Sequence, residues 1–401
     1  MSTGLQCLQC YRKQNSRRAA VECFFDGLDR MRERVELSEM CIEQIYRFET
    51  PESPVINVLP NGFVYEKSGW AEGDLDRLLD HNLQRNLWQL EVLPESDYTP
   101  FLQAGGVGND LLPALFGSEF EICGTEHGDV YHVTRHGIPD IPALEEWCRT
   151  QFALPVSDSA AYRELLPKVR FLAELTGGRL ELVFPQMHGP FTNALRIMPE
   201  QEGLIAAHVS SECLKMLIDR IGVSVLEIMR GFRDAVGSTA LCRPRARLCQ
   251  ASSVHGVVVD DWISVMGPEQ YLALASDYYR AISDEFGGIY LHTCGPVIWH
   301  EDAFLGIPGL AGFECTFTDG ARSTTADFEV LKGTFAGKLV LGAFYSAHPP
   351  SPRIVDDEEN LTPEWLERMS LNGGFMLNQG GSLQKCRAFL AYMRQDAHVP
   401  A

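Results

Sequence analysis

Apolar positions along this chain first follow a helical period and later settle into a regular alternation. Between residues 17 and 48 they recur mostly every three or four positions. Phe24, Leu28, Met31, Val35 and Leu37 form one stripe, which predicts one or two helices. Residues 50–100 are mixed. The strand-like runs VINVL (55–59) and GFVYEKSGW (62–70) precede a helical LDRLLDHNLQRNLWQL (75–90). FEICG (120–124) and VYHVT (130–134) then flank a turn-rich segment and predict a hairpin.

From about residue 165 the alternation is regular. A helical segment leads into RLELVFPQMHGP (179–190), a strand followed by a loop, and residues 202–237 predict a long helical stretch, in two pieces. HGVVVDDW (255–262) is a strand. Residues 268–288 form a well-marked helix: Pro268 suits its first turn, Leu272, Ala275, Tyr279, Ile282 and Phe286 make its stripe, and Gly287-Gly288 closes it. The strand IYLHTC (289–294), a helical VIWHEDAFL (297–305) and the strand LAGFECTF (310–317) follow. A helix over 324–333, the strand KLVLGAF (338–344), a helix over 362–371 and the strand GFMLNQGG (374–381) complete the series.

Short, nearly continuous apolar strands alternating with longer helices predict βαβ units around a parallel sheet buried on both faces. The one early glycine cluster, GGVGND (105–110), lacks the spacing of a dinucleotide-binding turn. The α/β reading is therefore a (β/α)8 TIM barrel over residues 101–395, behind a helical and mixed N-terminal extension over residues 1–100. In such a barrel the chemistry gathers at the C-terminal ends of the strands.

Composition narrows the partners. The 401 residues carry 54 acidic and 34 basic side chains, a formal net charge of −20, which repels phosphate backbones and argues against nucleic acid. No apolar run reaches the ~18 residues that span a bilayer, and the N-terminus lacks a signal core, so a cytoplasmic protein without membrane association is expected. The twelve cysteines then read as reduced thiols or ligands rather than a disulfide framework. Cys7 and Cys10 form a C-x-x-C pair with no second such pair to complete a zinc site. A frayed tail or loosely packed thiols is the expectation there.

The strand ends supply the candidate chemistry. Gln186 and His188 follow the strand at 181–184, Asp260 and Asp261 the next, then His292 and Cys294, then Glu314, then Tyr345, and last Asn378 and Gln379. His292 and Cys294 stand two apart on a strand and so share a face. A thiolate beside an imidazole suits Zn²⁺, and Glu314 on the adjacent strand completes a three-ligand site with one open position. An isolated H-x-C is also compatible with plain packing, and His188 with a satisfied core histidine. Asp260, Asp261 and His188 are the candidates for catalytic or supporting roles. Gln186, Tyr345, Asn378 and Gln379 are the candidates for substrate binding.

IYLHTCG, HGVVVDDWISVMGPEQYLALASDYYRAI and GFMLNQGGSL together resemble the uroporphyrinogen decarboxylase superfamily, in its corrinoid-dependent methyltransferase branch, over about residues 100–390. The resemblance implies a (β/α)8 barrel. It also implies zinc held by the H-x-C pair, a thiol or folate-type small-molecule acceptor, and a corrinoid supplied by a partner protein. A homodimer is a further expectation for a barrel of this size. Where the family's decarboxylases carry first-strand arginines, this chain has Gln103 and Gly106. Where coenzyme M methyltransferases carry a second cysteine after the last strand, it has Gln379-Gly380-Gly381-Ser382. Cobalamin-independent methionine synthase, a more distant resemblance, places a glutamate on the strand after H-x-C, near the spacing of Glu314. The alternatives are a lyase of the same barrel acting on a small carboxylic acid, and a non-catalytic member with a decayed metal site.

Overall fold

The computed structural model describes residues 6–49, 51, 55–60, 74–104, 108–125, 128–183, 187–237, 242–243, 254, 256–293, 301–316, 333–345, 375–381, 383–384, 386–387 and 390–391. The expected strand at 62–70, nearly all of the expected helix at 324–333 and the whole of that at 362–371 lie outside the described residues, as do Gln186 and Cys294.

A helical layer opens the chain: α1 (Gln6–Arg12), α2 (Arg17–Asp29) and α3 (Arg32–Tyr46). The C-x-x-C segment is α1 rather than a frayed tail. Its Cys7, Leu8 and Tyr11 are buried, and the Tyr11 hydroxyl donates to Asp80 Oδ1 at 2.8 Å. The backbone N–H groups of Cys7 and Leu8 donate to the two carboxylate oxygens of Glu91 at 2.5 and 3.1 Å. An anion at a helix start satisfies donors that have no partner within the helix. The stripe expected from Phe24 to Leu37 is interrupted. α2 ends at Asp29 and α3 begins at Arg32, so the helical phase restarts; α3 buries Ser38, Cys41, Ile42 and Ile45 and leaves Leu37 52% exposed.

Next come β1 (Ile56–Pro60), α4 (Asp74–Val92), β2 (Phe101–Gln103) and α5 (Gly108–Leu115). β3 (Glu119–Thr125) and β4 (Gly128–Arg135) form the expected antiparallel hairpin. Helices α6 (Ile141–Thr150) and α7 (Ala160–Thr176) lead to β5 (Glu181–Val183) and β6 (Met187–His188). Then follow α8 (Pro190–Ile197), α9 (Glu200–Val209) and α10 (Ser211–Val236), the last two being the expected long stretch divided at Ser210. The remaining elements are β7 (Cys242–Arg243), β8 (Gly256–Val259), α11 (Pro268–Phe286), β9 (Ile289–Thr293), α12 (Glu301–Gly306), β10 (Leu310–Thr316), β11 (Val340–Tyr345) and β12 (Phe375–Gly381).

The fold is mixed α/β with parallel sheets. Seven strands pair in the order β1-β12-β11-β10-β9-β8-β6, and three more in the order β2-β5-β7, all parallel. The whole of β1 lies along β12, from Ile56 opposite Leu377 to Pro60 opposite Gly381. The strand that sequence places in the extension is therefore part of the large sheet, and a boundary at residue 100 would cut through that sheet. One apolar core includes Leu8 and Phe24 of the N-terminal helices, Leu83 and Leu87 of α4, and Leu291 and Phe313 of the sheet.

β9 shows why these strands read as unbroken apolar runs: all five of its residues are buried. On one side α11 covers the sheet with Tyr271, Leu274, Ala275, Tyr278, Tyr279, Ile282 and Phe286. The expected stripe holds except at Leu272, which is only partly buried. Gly287 ends the helix at φ +82°, where a side chain is strained. Phe304, Phe313 and Phe335 pack as a trio, with ring centroids 4.5 and 4.9 Å from the central Phe313. Truncating one such ring to alanine costs about 3–5 kcal/mol. No helix among the described residues is long and apolar enough to cross a membrane.

Candidate functional site

Strand register brings separate parts of the sequence into one row. His188 on β6 pairs with Val259 on β8, Val259 with His292 on β9, His292 with Glu314 on β10, and Glu314 with Gly342 on β11. Paired positions on neighbouring parallel strands share a face. The row therefore gathers two histidines and a glutamate that are 126 residues apart at most (188 to 314). Glycine at 342 has a steric cause: a β-carbon there would stand 2.1 Å from the Tyr290 hydroxyl and 3.5 Å from Glu314 Cβ.

The closest polar contact in the row is between His292 and Glu314. His292 Nδ1 lies 2.6 Å from Glu314 Oε1, and the two residues are 3% and 1% exposed. A carboxylate accepts, so Nδ1 is the donor in this contact. Burial adds weight to the contact, because a glutamate inside a sheet without such a partner would be costly.

Asp260 has a different environment. It follows β8 immediately, so strand alternation turns it to the face opposite Val259 and His292. Its carboxylate is fully buried. It accepts from the backbone N–H and hydroxyl of Thr192 at 3.2 and 2.9 Å, and from the hydroxyls of Tyr271 and Tyr279 at 2.9 and 3.3 Å. The acceptance from Thr192 places a carboxylate at the N-terminus of α8, the end that favours negative charge. Burial raises its pKa from 3.8 to about 6, against the opposing hydrogen bonds from Tyr271 and Thr192. Burial likewise pushes Tyr271 and Tyr279 far above their ordinary range, so both remain neutral donors.

The same segment positions His188. Its backbone carbonyl accepts from Asn193 Nδ2 at 2.6 Å and from the Tyr278 hydroxyl at 2.9 Å. Asp260 N–H donates to the His292 carbonyl at 3.0 Å, and Gly189 N–H to the Val259 carbonyl at 2.7 Å. Gly189 is tightly enclosed, since a β-carbon there would meet Asp260 Cβ, Cγ and Oδ2 at 2.5–2.6 Å. Asp260 thus connects the strand ends carrying His188 and His292 to helices α8 and α11.

The other candidates are located by register alone. Tyr345 pairs with Gln379, and Asn378 with Phe344 on one side and Asn57 on the other, so the ends of β1, β11 and β12 adjoin. Asp261 is half-buried and begins a short 3-10 turn, Asp261–Ser264. Cys386 is fully buried, and burial holds its thiol at about 11. Among the described residues, no three His, Cys, Asp or Glu side chains are grouped so as to hold a metal ion. The residues that sequence reasoning missed are Thr192, Tyr271, Tyr279 and Gly189. Their signal was faint: two tyrosines eight apart on a buried helical stripe, with a strand-end aspartate to receive them.

This geometry defines a class, an α/β protein whose parallel strands carry a His–Glu pair near their C-terminal ends. No family model and no curated protein matches the chain. Among solved structures, a methyltransferase from Methanosarcina mazei has a similar fold. The TM-score is 0.52 over 80% of this chain and 86% of that one, at 17% identity. At that identity the likeness concerns the fold.

Proposed function

We propose that the chain is a barrel methyltransferase of uroporphyrinogen decarboxylase type, acting in the cytoplasm. It would move a methyl group between a partner corrinoid protein and a thiol or folate-type acceptor, with zinc held by His292 and Cys294. The supporting observation is the buried His292–Glu314 contact in a fold similar to that of a methyltransferase. Metal-binding histidines commonly give one ring N–H to a carboxylate, and the His292–Glu314 contact is of that kind.

Glu314 then acts on the imidazole: it fixes the tautomer and ring angle of His292. Direct ligation of zinc by Glu314, as expected from sequence, is the alternative role for the same carboxylate. What a zinc centre supplies is a lowered pKa for a bound thiol, so that a thiolate is present at neutral pH. Asp260, with Thr192, Tyr271 and Tyr279, holds the adjoining strand ends in place from the helix side. His188, one strand over from Val259, is the nearest further proton carrier in the row. Tyr345, Asn378 and Gln379 adjoin at the other strand ends and are the candidates for acceptor contact.

The barrel belongs to this reading. With β5 and β6 taken as one strand position and β7 and β8 as the next, the pairings run β2, β5/β6, β7/β8, β9, β10, β11, β12, β1, and a β1–β2 contact would close the ring. The test is methyl transfer from methylcobalamin to 2-mercaptoethanesulfonate, homocysteine or tetrahydrofolate, followed by the cobalamin spectrum. Loss of the methyl–cobalt band that depends on the protein and disappears in His292→Ala supports the proposal. Inactivity with every acceptor, together with CO₂ release from small carboxylic acids, would instead identify a lyase.

A further inference from the structure

We propose that Cys10 and Cys23 are a peroxide-sensitive dithiol whose oxidation joins α1 to α2 through a disulfide. None of the residues involved belongs to the row around His292. Cys23 Sγ lies 3.0 Å from Cys10 Sγ, across two helices and 13 residues of sequence. A disulfide needs about 2.05 Å, so closure requires a shift of about 1 Å. Cys10 is exposed and Cys23 half-buried, so an oxidant has access.

The third thiol of the cluster is turned elsewhere. Cys7 is buried, and its Sγ is 3.5 Å from where a β-carbon on Gly27 would lie, so the missing side chain of Gly27 is what lets α1 approach α2 there. Burial, followed by the contact with Glu91, raises the Cys7 thiol to about 11. Burial and the hydrogen bond to Cys10 hold Cys23 at about 12. Exposed Cys10, with the Gln14 Nε2 donor 3.9 Å from its sulfur, is therefore the thiol that peroxide meets first.

The chemistry balances with hydrogen peroxide as oxidant. The Cys10 thiolate attacks one peroxide oxygen, the O–O bond breaks, and a sulfenic acid and hydroxide result. The Cys23 sulfur attacks the sulfenic sulfur, the S–O bond breaks, and an S–S bond forms as water leaves with the Cys23 proton. Two thiols lose two electrons in total, and the peroxide is reduced to two waters. α1 is already anchored on α4 through Tyr11–Asp80 and Glu91, so the new bond closes a short loop without moving that anchor. A closed loop restricts the unfolded chain and raises thermal resistance.

The test treats the full chain with stoichiometric hydrogen peroxide at neutral pH, blocks remaining thiols and maps tryptic peptides. The expected product joins residues 1–12 to residues 19–30, is lighter than the two reduced peptides by two hydrogens, and is cleaved by dithiothreitol. It persists in Cys7→Ala and disappears in Cys10→Ser and Cys23→Ser. The melting temperature rises by a few degrees in the wild type and in Cys7→Ala but not in Cys10→Ser or Cys23→Ser, and the rise reverses on reduction. Cys148 and Cys213, which also hydrogen-bond to one another, lie on other peptides and are scored separately. Cys10 found as sulfinic or sulfonic acid with Cys23 still alkylatable would overturn the proposal, as would a cross-link that survives Cys10→Ser.

Discussion

Glu314 Oε1 lies 2.6 Å from His292 Nδ1, between residues directly paired on adjacent parallel strands. The strand pairing itself brings the two together, so the contact needs no loop to form it. Replacing Glu314 with glutamine keeps the shape and removes the charge that favours Nδ1–H. Zinc affinity is expected to fall about 10- to 100-fold, the range found when such outer partners are lost. Competition with a chromogenic chelator measures it, and unchanged affinity would remove Glu314 from the account.

Asp260 makes a prediction about pH. Unfolded, its carboxyl titrates near the ordinary 3.8; folded, near 6, because it is buried. The native state holds the proton more tightly, so this group's contribution to stability is complete below about pH 4 and is lost as pH rises through about 6. The difference is on the order of 3 kcal/mol. Urea unfolding of wild type and Asp260→Asn at pH 4 and pH 7 isolates it, since other carboxylates cancel in the comparison. The advantage of aspartate over asparagine shrinks toward pH 7; an advantage that grows with pH would contradict the assignment.

Gly189 is required by space, not by backbone angle: its φ is −68°. Gly189→Ala places a β-carbon against the Asp260 carboxylate and is expected to cost about 2 kcal/mol of stability. Denaturant melts measure the loss. A neutral result would show that Asp260 moves freely, against its role as a fixed brace.

Much of this was legible in the sequence, for definite reasons. α11 carries Pro268 at its start, a helical stripe and a closing glycine pair, so its limits were visible. β9 opens with the apolar run Ile289-Tyr290-Leu291, which marks a strand covered on both faces. The adjacency of His292 and Glu314 followed from successive strands in a parallel sheet. Other features were not legible because they depend on pairing between distant segments. Nothing local to Ile56–Pro60 shows that it adds to β12. Asp260 is a strand-end carboxylate like Glu314, and only its partners Thr192, Tyr271 and Tyr279 show that it faces the helices.

The pairing of β1 with β12 predicts the outcome of a truncation. A chain beginning at residue 101 loses β1, α4 and the helices packed on them, and exposes the edge of β12 together with part of the common core. Exposed parallel edges invite aggregation. The fragment is expected to be insoluble, or to lack a cooperative thermal transition in circular dichroism. A fragment that melts cooperatively would restore the boundary at residue 100.

The central claim is that His292 and Cys294 hold a metal ion, with Glu314 behind the histidine. The most direct measurement is the metal content of protein purified from zinc-supplemented cells. About one zinc per chain is expected in the wild type and close to none in His292→Ala and Cys294→Ser. Wild-type protein with no stoichiometric transition metal, or variants that retain the full zinc content, would contradict it.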